Sequence, residues 1–154
     1  MMTAADYFEK GFRSLHAGPA QDALNALTSA IQLDPEFAEA YAYRGLAHYR
    51  LGDFDSAMLD LDTAVALWPN LAEAYYFRAI LHGHRKDHEN AIDDYSRAIE
   101  LKPALIDAYY FRALNHGAAG NHEDAIRDMK TAAELGYEPA REFLESHGVG
   151  QDTN

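Results

Sequence analysis

Three arginines and three aspartates of this 154-residue chain keep one interval. Arg44, Arg78 and Arg112 stand 34 residues apart, and so do Asp60, Asp94 and Asp128. In each set the carboxylate follows the guanidinium by 16 residues. The stretch before them lacks both, with Lys10 and Ala26 at those places. Charges that appear together and vanish together suggest contact. The spacing predicts an Arg–Asp pair tying two helices in each of three copies of a unit; the competing reading is two independently solvated charges. If the pair is buried, breaking one side of it costs roughly 3–5 kcal/mol.

His48, His82 and His116 keep the same step, which invites a metal hypothesis. Equivalent positions in stacked helices lie about 8–10 Å apart, whereas zinc needs nitrogen ligands at about 2 Å. The three histidines therefore read as packing residues, and no metal or cofactor is expected. His82, His84 and His88 are denser, but residues two apart on a helix point away from each other. Catalytic patterns are missing too: there is no phosphate-cradling glycine loop, no Gly-x-Ser-x-Gly elbow and no His-Glu-x-x-His. Paired acids such as Asp93 and Asp94 read as an outer face and an arginine partner. The chain is expected not to be an enzyme.

The interval extends to much of the sequence. Tyr7, Tyr41, Tyr75 and Tyr109 keep it, as do Ala23, Ala57, Ala91 and Ala125, and Ala30, Ala64, Ala98 and Ala132. A fixed period of this length signals one small unit stacked repeatedly. The units are 4–37, 38–71, 72–105 and 106–139, and each reads as two helices. Asp53, Asp87 and Asn121 are expected to cap the second helix with a side-chain oxygen. Pro19 fits a first-turn position there. The second helices end near Leu33, Leu67, Leu101 and Leu135, with Pro35, Pro69 and Pro103 just beyond. Gly11, Gly45, Ala79 and Ala113 leave room for a neighbouring backbone. Residues 140–147 read as a capping helix, and 148–154 as a loose tail. Trp68 falls in an inter-unit turn, where it would report on folding more than on a binding surface.

These positions resemble the tetratricopeptide repeat family over about residues 4–139. The second unit matches with Tyr41, Gly45, His48, Ala57, Leu61, Ala64 and Pro69; the third matches with Tyr75, Ala79, His82, Ala91, Tyr95, Ala98 and Pro103. Tyrosine stands where the family usually has tryptophan, and Gly136-Tyr137 before Pro139 suggests that the array ends there. The resemblance implies an all-α right-handed solenoid of four helix-turn-helix repeats plus the C-terminal capping helix, and a ligand-carrying concave surface. Mapped onto this sequence, that surface comprises Phe8, Phe12 and His16; Glu39, Tyr43, Leu46, Tyr49 and Arg50; Glu73, Tyr76, Phe77, Ile80 and His84; and Asp107, Tyr110, Phe111 and Leu114. Its eight aromatics would form a large exposed apolar patch, the mark of a partner site; alternatively they pack between units and leave little free surface.

Some members of the family hold a partner's terminal carboxylate with Lys and Asn. The corresponding positions here are Phe8, Phe12, Tyr43, Glu73 and Phe77, none basic or amide. The ladder Glu39, Glu73, Asp107 favours instead an apolar partner with basic residues, although a carboxylate in the first turn of a helix also complements its dipole.

Composition narrows the partners further. With 25 acidic against 13 basic side chains, the net charge is −12. Such a surface repels phosphate backbones, so no nucleic acid is expected. Cysteine is absent. No stretch has the length of apolar residues that crosses a membrane, and the acidic start is unlike a secretion signal. Cytoplasm is the default location. The expected function is a protein- or peptide-binding scaffold; the alternative is a self-assembling module, a homo-oligomer through the groove or the end helices.

Overall fold

In a computed structural model that describes residues 1–150, nine α-helices and no strands are found among the described residues. Residues 151–154, the end of the expected tail, lie outside the described residues. The helices are α1 (Ala4–Ala17), α2 (Ala20–Leu33), α3 (Ala38–Arg50), α4 (Phe54–Leu67), α5 (Ala72–His84), α6 (His88–Leu101), α7 (Ile106–Ala118), α8 (His122–Glu134) and α9 (Glu138–Ser146). They fall into two compact bodies, Met1–Leu81 and the chain from His82 onward, with the division inside α5.

Side-chain caps start α1, α4 and α6. Thr3 and Asp6 form a reciprocal capping box on α1, which satisfies two amides left open by helix geometry. Asp53 and Asp87 accept from Ser56 and Asn90 as the sequence predicts. Those bonds hold both carboxyls below the usual range, with help from the nearby His48 and His82. Asn121 departs from expectation: it is the N-cap of α8 but makes no capping bond. Its amide nitrogen lies 3.5 Å from His116 Nδ1 instead. Two proline expectations also shift. Pro19 is the N-cap of α2 rather than a first-turn residue. Pro139 lies inside the first turn of α9, so that helix begins two residues earlier than expected, in the position where a missing N–H does no harm.

The core is built from alanines at the repeat interval. In the N-terminal body, one cluster gathers Leu15, Ala23, Leu27 and Ala30 with Ala40 and Ala47. A second joins Ala57, Leu61 and Ala64 to Leu71, Ala74 and Leu81. In the C-terminal body, Ala113, Met129 and Ala132 pack with Ala140 and Leu144 of α9. Close approach depends on the small positions: a Cβ on Gly45 would stand 2.8 Å from Leu61 Cγ, and one on Gly11 would stand 2.6 Å from Leu27 Cγ. Neither distance is tolerable without repacking.

The outer face of α1 differs from its counterparts. Asp6, Glu9, Lys10 and Arg13 are all exposed. One repeat later the same places hold Ala40, Tyr43, Arg44 and Ala47, of which both alanines are fully buried.

The turn inside the second, third and fourth repeats uses one residue in the left-handed region, whereas Gly18 in the first is extended. Gly52 (φ 82°) and Gly120 (φ 85°) supply it without penalty, but the third repeat uses Lys86 at φ 60°. A Cβ in that region costs about 1 kcal/mol or more. Lys86→Gly is therefore expected to stabilise the chain by about 0.5–1 kcal/mol. The check is a urea unfolding midpoint that rises while the slope stays constant.

Candidate functional site

Arginine–aspartate pairs join the helices of the second and fourth repeats. Arg44 Nε and Nη2 donate to the two Asp60 oxygens at 2.7 and 2.8 Å. Arg112 does the same to Asp128, at 2.7 and 2.7 Å. Both aspartates are 5% exposed. This contact raises the Arg44 guanidinium further above its already high range. Arg78 donates Nη1 to Asp62 at 2.9 Å, and Asp94 is buried in the other body, 3.7 Å from His82 Nε2.

Each guanidinium also reaches the preceding second helix. Arg44 donates to Thr28 at 3.4 Å and Arg112 to Ser96 at 3.0 Å, and Asp62 holds the equivalent place for Arg78. Sequence reading missed this link although residues 28, 62 and 96 keep the interval. Beneath each cation lies a tyrosine that keeps the same interval, with Tyr41, Tyr75 and Tyr109 centred 5.5, 5.6 and 5.7 Å away. The expected packing histidines join the same cluster. His48 lies between Asp53 (3.6 Å) and Asp60 (3.7 Å), and His116 Nε2 is 3.8 Å from Asp128.

The rings of the N-terminal body form a continuous row. Phe8 and Phe12 each meet Tyr43 edge-on, with centroids 5.6 and 5.2 Å apart. Tyr43 meets Phe77 at 5.3 Å, and Phe77 meets Tyr76 at 5.8 Å, again edge-on. All five are half-buried, so the large exposed patch expected from sequence is not what forms. The rings cover part of one another's surface in the edge-to-face geometry that quadrupole attraction favours.

At the start of this row is a cavity of about 340 Å³ lined by Phe8, Phe12, Tyr43, Trp68, Glu39 and Glu73, among others. Trp68 corrects an expectation: it caps α4 at 44% exposure and borders the cavity, so it does report on this surface. The Tyr43 phenol is pushed up to about 12 by burial first, then by the negative charges of Glu73 and Glu39.

Of the other mapped residues, His16 extends the row, its ring centred 4.4 Å from Phe12. Tyr49 packs on Phe54, with centroids 5.7 Å apart. Arg50 donates to the Leu15 carbonyl. Leu46 sits against the first core cluster, Ile80 is half-buried, and His16 and His84 are exposed. In the C-terminal body, Tyr110 contacts Phe111 at 5.4 Å and Tyr137 at 5.0 Å, and Phe111 stacks on Tyr95 at 6.4 Å. The Tyr137 phenol is raised by burial and by the Asp107 charge. Leu114 lines a separate apolar cavity of about 380 Å³ with Ile126, Met129 and Phe143. No helix among the described residues is long and apolar enough to cross a membrane.

Known proteins share this architecture. A family model described as Tetratricopeptide repeat matches residues 72–105, and a second of the same description matches residues 16–72. No curated protein matches the chain. Among solved structures, the crystal structure of MamA is 28% identical, with a TM-score of 0.76 over 90% of this chain and 81% of that one. The first TPR of Spaghetti (RPAP3), bound to the HSP90 peptide SRMEEVD, is 28% identical, with a TM-score of 0.71 over 77% of this chain and 94% of that one. MamA 41-end from Desulfovibrio magneticus RS-1 is 22% identical, with a TM-score of 0.76 over 98% and 97% of the two chains, a likeness of fold alone.

Two outcomes follow from the geometry. Asp60→Ala leaves a part-buried guanidinium without its carboxylate, with only Thr28 and the Tyr41 ring beside it, and is expected to cost about 2 kcal/mol. A double-mutant cycle with Arg44→Met should then show coupling of about 1 kcal/mol or more. Tyr43 sets a limit in alkali. Its folded state favours the neutral phenol, so its contribution is complete below pH about 10 and is lost as pH rises toward about 12. Tyr43→Phe is expected to lose less stability than wild type between those two pH values, read by denaturant unfolding at each.

Proposed function

The chain belongs to the tetratricopeptide repeat family, and from that premise we propose a protein-interaction scaffold without catalysis that binds peptide segments on the Phe8–Phe12–Tyr43–Phe77 row. The observation that carries the reading is the half-open, edge-to-face packing of those rings beside Glu39 and Glu73. Aromatic anchors dominate interface energies. Rings already fixed by one another lose little further freedom when a partner arrives. The partner supplies apolar side chains flanked by basic ones.

The related RPAP3 domain is bound to SRMEEVD, a peptide with three acidic side chains. The same kind of ligand suits this chain poorly, because Phe8, Phe12, Tyr43, Glu73 and Phe77 offer it neither a cation nor an amide. The test is a peptide panel read by Trp68 fluorescence. Apolar-basic peptides are expected to bind wild type and to be lost with Tyr43→Ala/Phe77→Ala, and SRMEEVD is expected not to bind. Binding of SRMEEVD as tight as that of the basic peptides would overturn the charge assignment. A dimer that dissociates on dilution and is abolished by Tyr76→Ala would assign the rings to self-assembly instead.

A further inference from the structure

We infer that the cavity bordered by Phe8, Phe12, Tyr43 and Trp68 is an anchor for a single arginine side chain of the partner, with Glu39 and Glu73 receiving its guanidinium. The inference rests on the peptide-binding reading and sharpens it from basic character to one residue type.

Three observations carry it. The first is the wall. Phe8 and Phe12 tilt 34° from each other, and Tyr43 stands at 74° and 73° to them. Phe8 also packs on Phe37 and Phe12 on His16, with centroids 5.0 and 4.4 Å apart, so the wall is held from behind; the aromatic lining it presents attracts a flat cation.

The second is the placement of charge. Glu39 and Glu73 each sit in the first turn of their helices, one repeat apart, and both border the cavity. Glu39 has no hydrogen-bond or ion-pair partner among the described residues. Glu9, also on the rim, faces Arg13 at 3.8 Å on exposed surface. The electrostatics agree with the placement: Glu73 and Glu39 both oppose ionisation of Tyr43, so the potential at the rings is negative and a cation there is favoured.

The third is the match to a guanidinium rather than an ammonium. A planar fork stacks on rings while its edge donates to carboxylates, and it sheds water more easily. Lysine has a compact, strongly hydrated head that satisfies the carboxylates but does not stack. The cavity's 340 Å³ accommodates the long arginine stem against Trp68.

The experiment uses the full chain and three capped peptides, acetyl-Leu-Arg-Leu-amide and its lysine and citrulline versions. Citrulline keeps the shape and removes the charge. Binding is followed by Trp68 fluorescence and calorimetry, with circular dichroism confirming that each variant is folded. The arginine peptide is expected to bind at least about tenfold more tightly than the citrulline peptide, and lysine to fall between. Glu39→Gln/Glu73→Gln should shrink the preference for arginine over citrulline to the few-fold that the rings alone supply, and an unchanged preference would overturn the carboxylate contact. Equal affinity of the two for wild type, with both lost in Tyr43→Ala, would overturn the arginine anchor and leave the aromatic row as the peptide site. Failure of the arginine peptide to bind at millimolar concentration overturns the anchor as well, and the groove reading is then decided separately by the wider peptide panel.

Discussion

The contact on which the structure depends is the guanidinium held between helices. Arg44 and Arg112 each bind a buried carboxylate of their own repeat and a hydroxyl of the repeat before it, over a tyrosine ring. One side chain thereby fixes three helices. A buried ion pair adds little net stability over apolar packing of the same volume. What it adds here is geometric: alanine-lined helices slide past each other at low cost, whereas a forked cation has one position in which all its donors are satisfied. Of the helices that carry rings, α3 with Tyr43 and α7 with Tyr110 and Phe111 are held in that position.

The ring row and its acidic border follow from the same registration. Because α3 and α5 are placed one repeat apart, residues at their first turns face the same cavity. A carboxylate there, Glu39, Glu73 or Asp107, complements the helix dipole in three of the four repeats, and Glu39 and Glu73 also border the rings of the cavity. The half-burial of Phe8, Phe12, Tyr43 and Phe77 reflects a balance. Each ring gives up part of its surface to its neighbours, which removes the aggregation hazard of a broad apolar patch and keeps enough face free for a partner.

Periodicity made the helix pairs, their ends and the bidentate arginine contacts legible in the sequence, because each repeat restates the same local chemistry. It was weaker where chemistry changes and position does not. Thr28, Asp62 and Ser96 share a place and an arginine but not a residue type, so matching by type passes over them. Asn121 reads as a cap, yet its amide turns to His116, a choice between two neighbours that no single residue encodes. Trp68 has Asp34 and Lys102 at its equivalent places and so carries no repeat signal; the extended backbone at the end of α4 directs it to the cavity. Tyr49 and Arg50 lie on the expected helix, but the turn that follows draws one to Phe54 and the other to the end of α1.

The charged flank of α1 has a consequence for how copies of this chain meet. Asp6, Glu9, Lys10 and Arg13 occupy places that one repeat later belong to two alanines, a tyrosine and a paired arginine. A second molecule laid against that helix, as the next block of a column, would strip water from four ions and offer them no matching pocket. Any contact through that flank therefore begins with a desolvation cost that the alanine-lined faces of the later repeats do not carry.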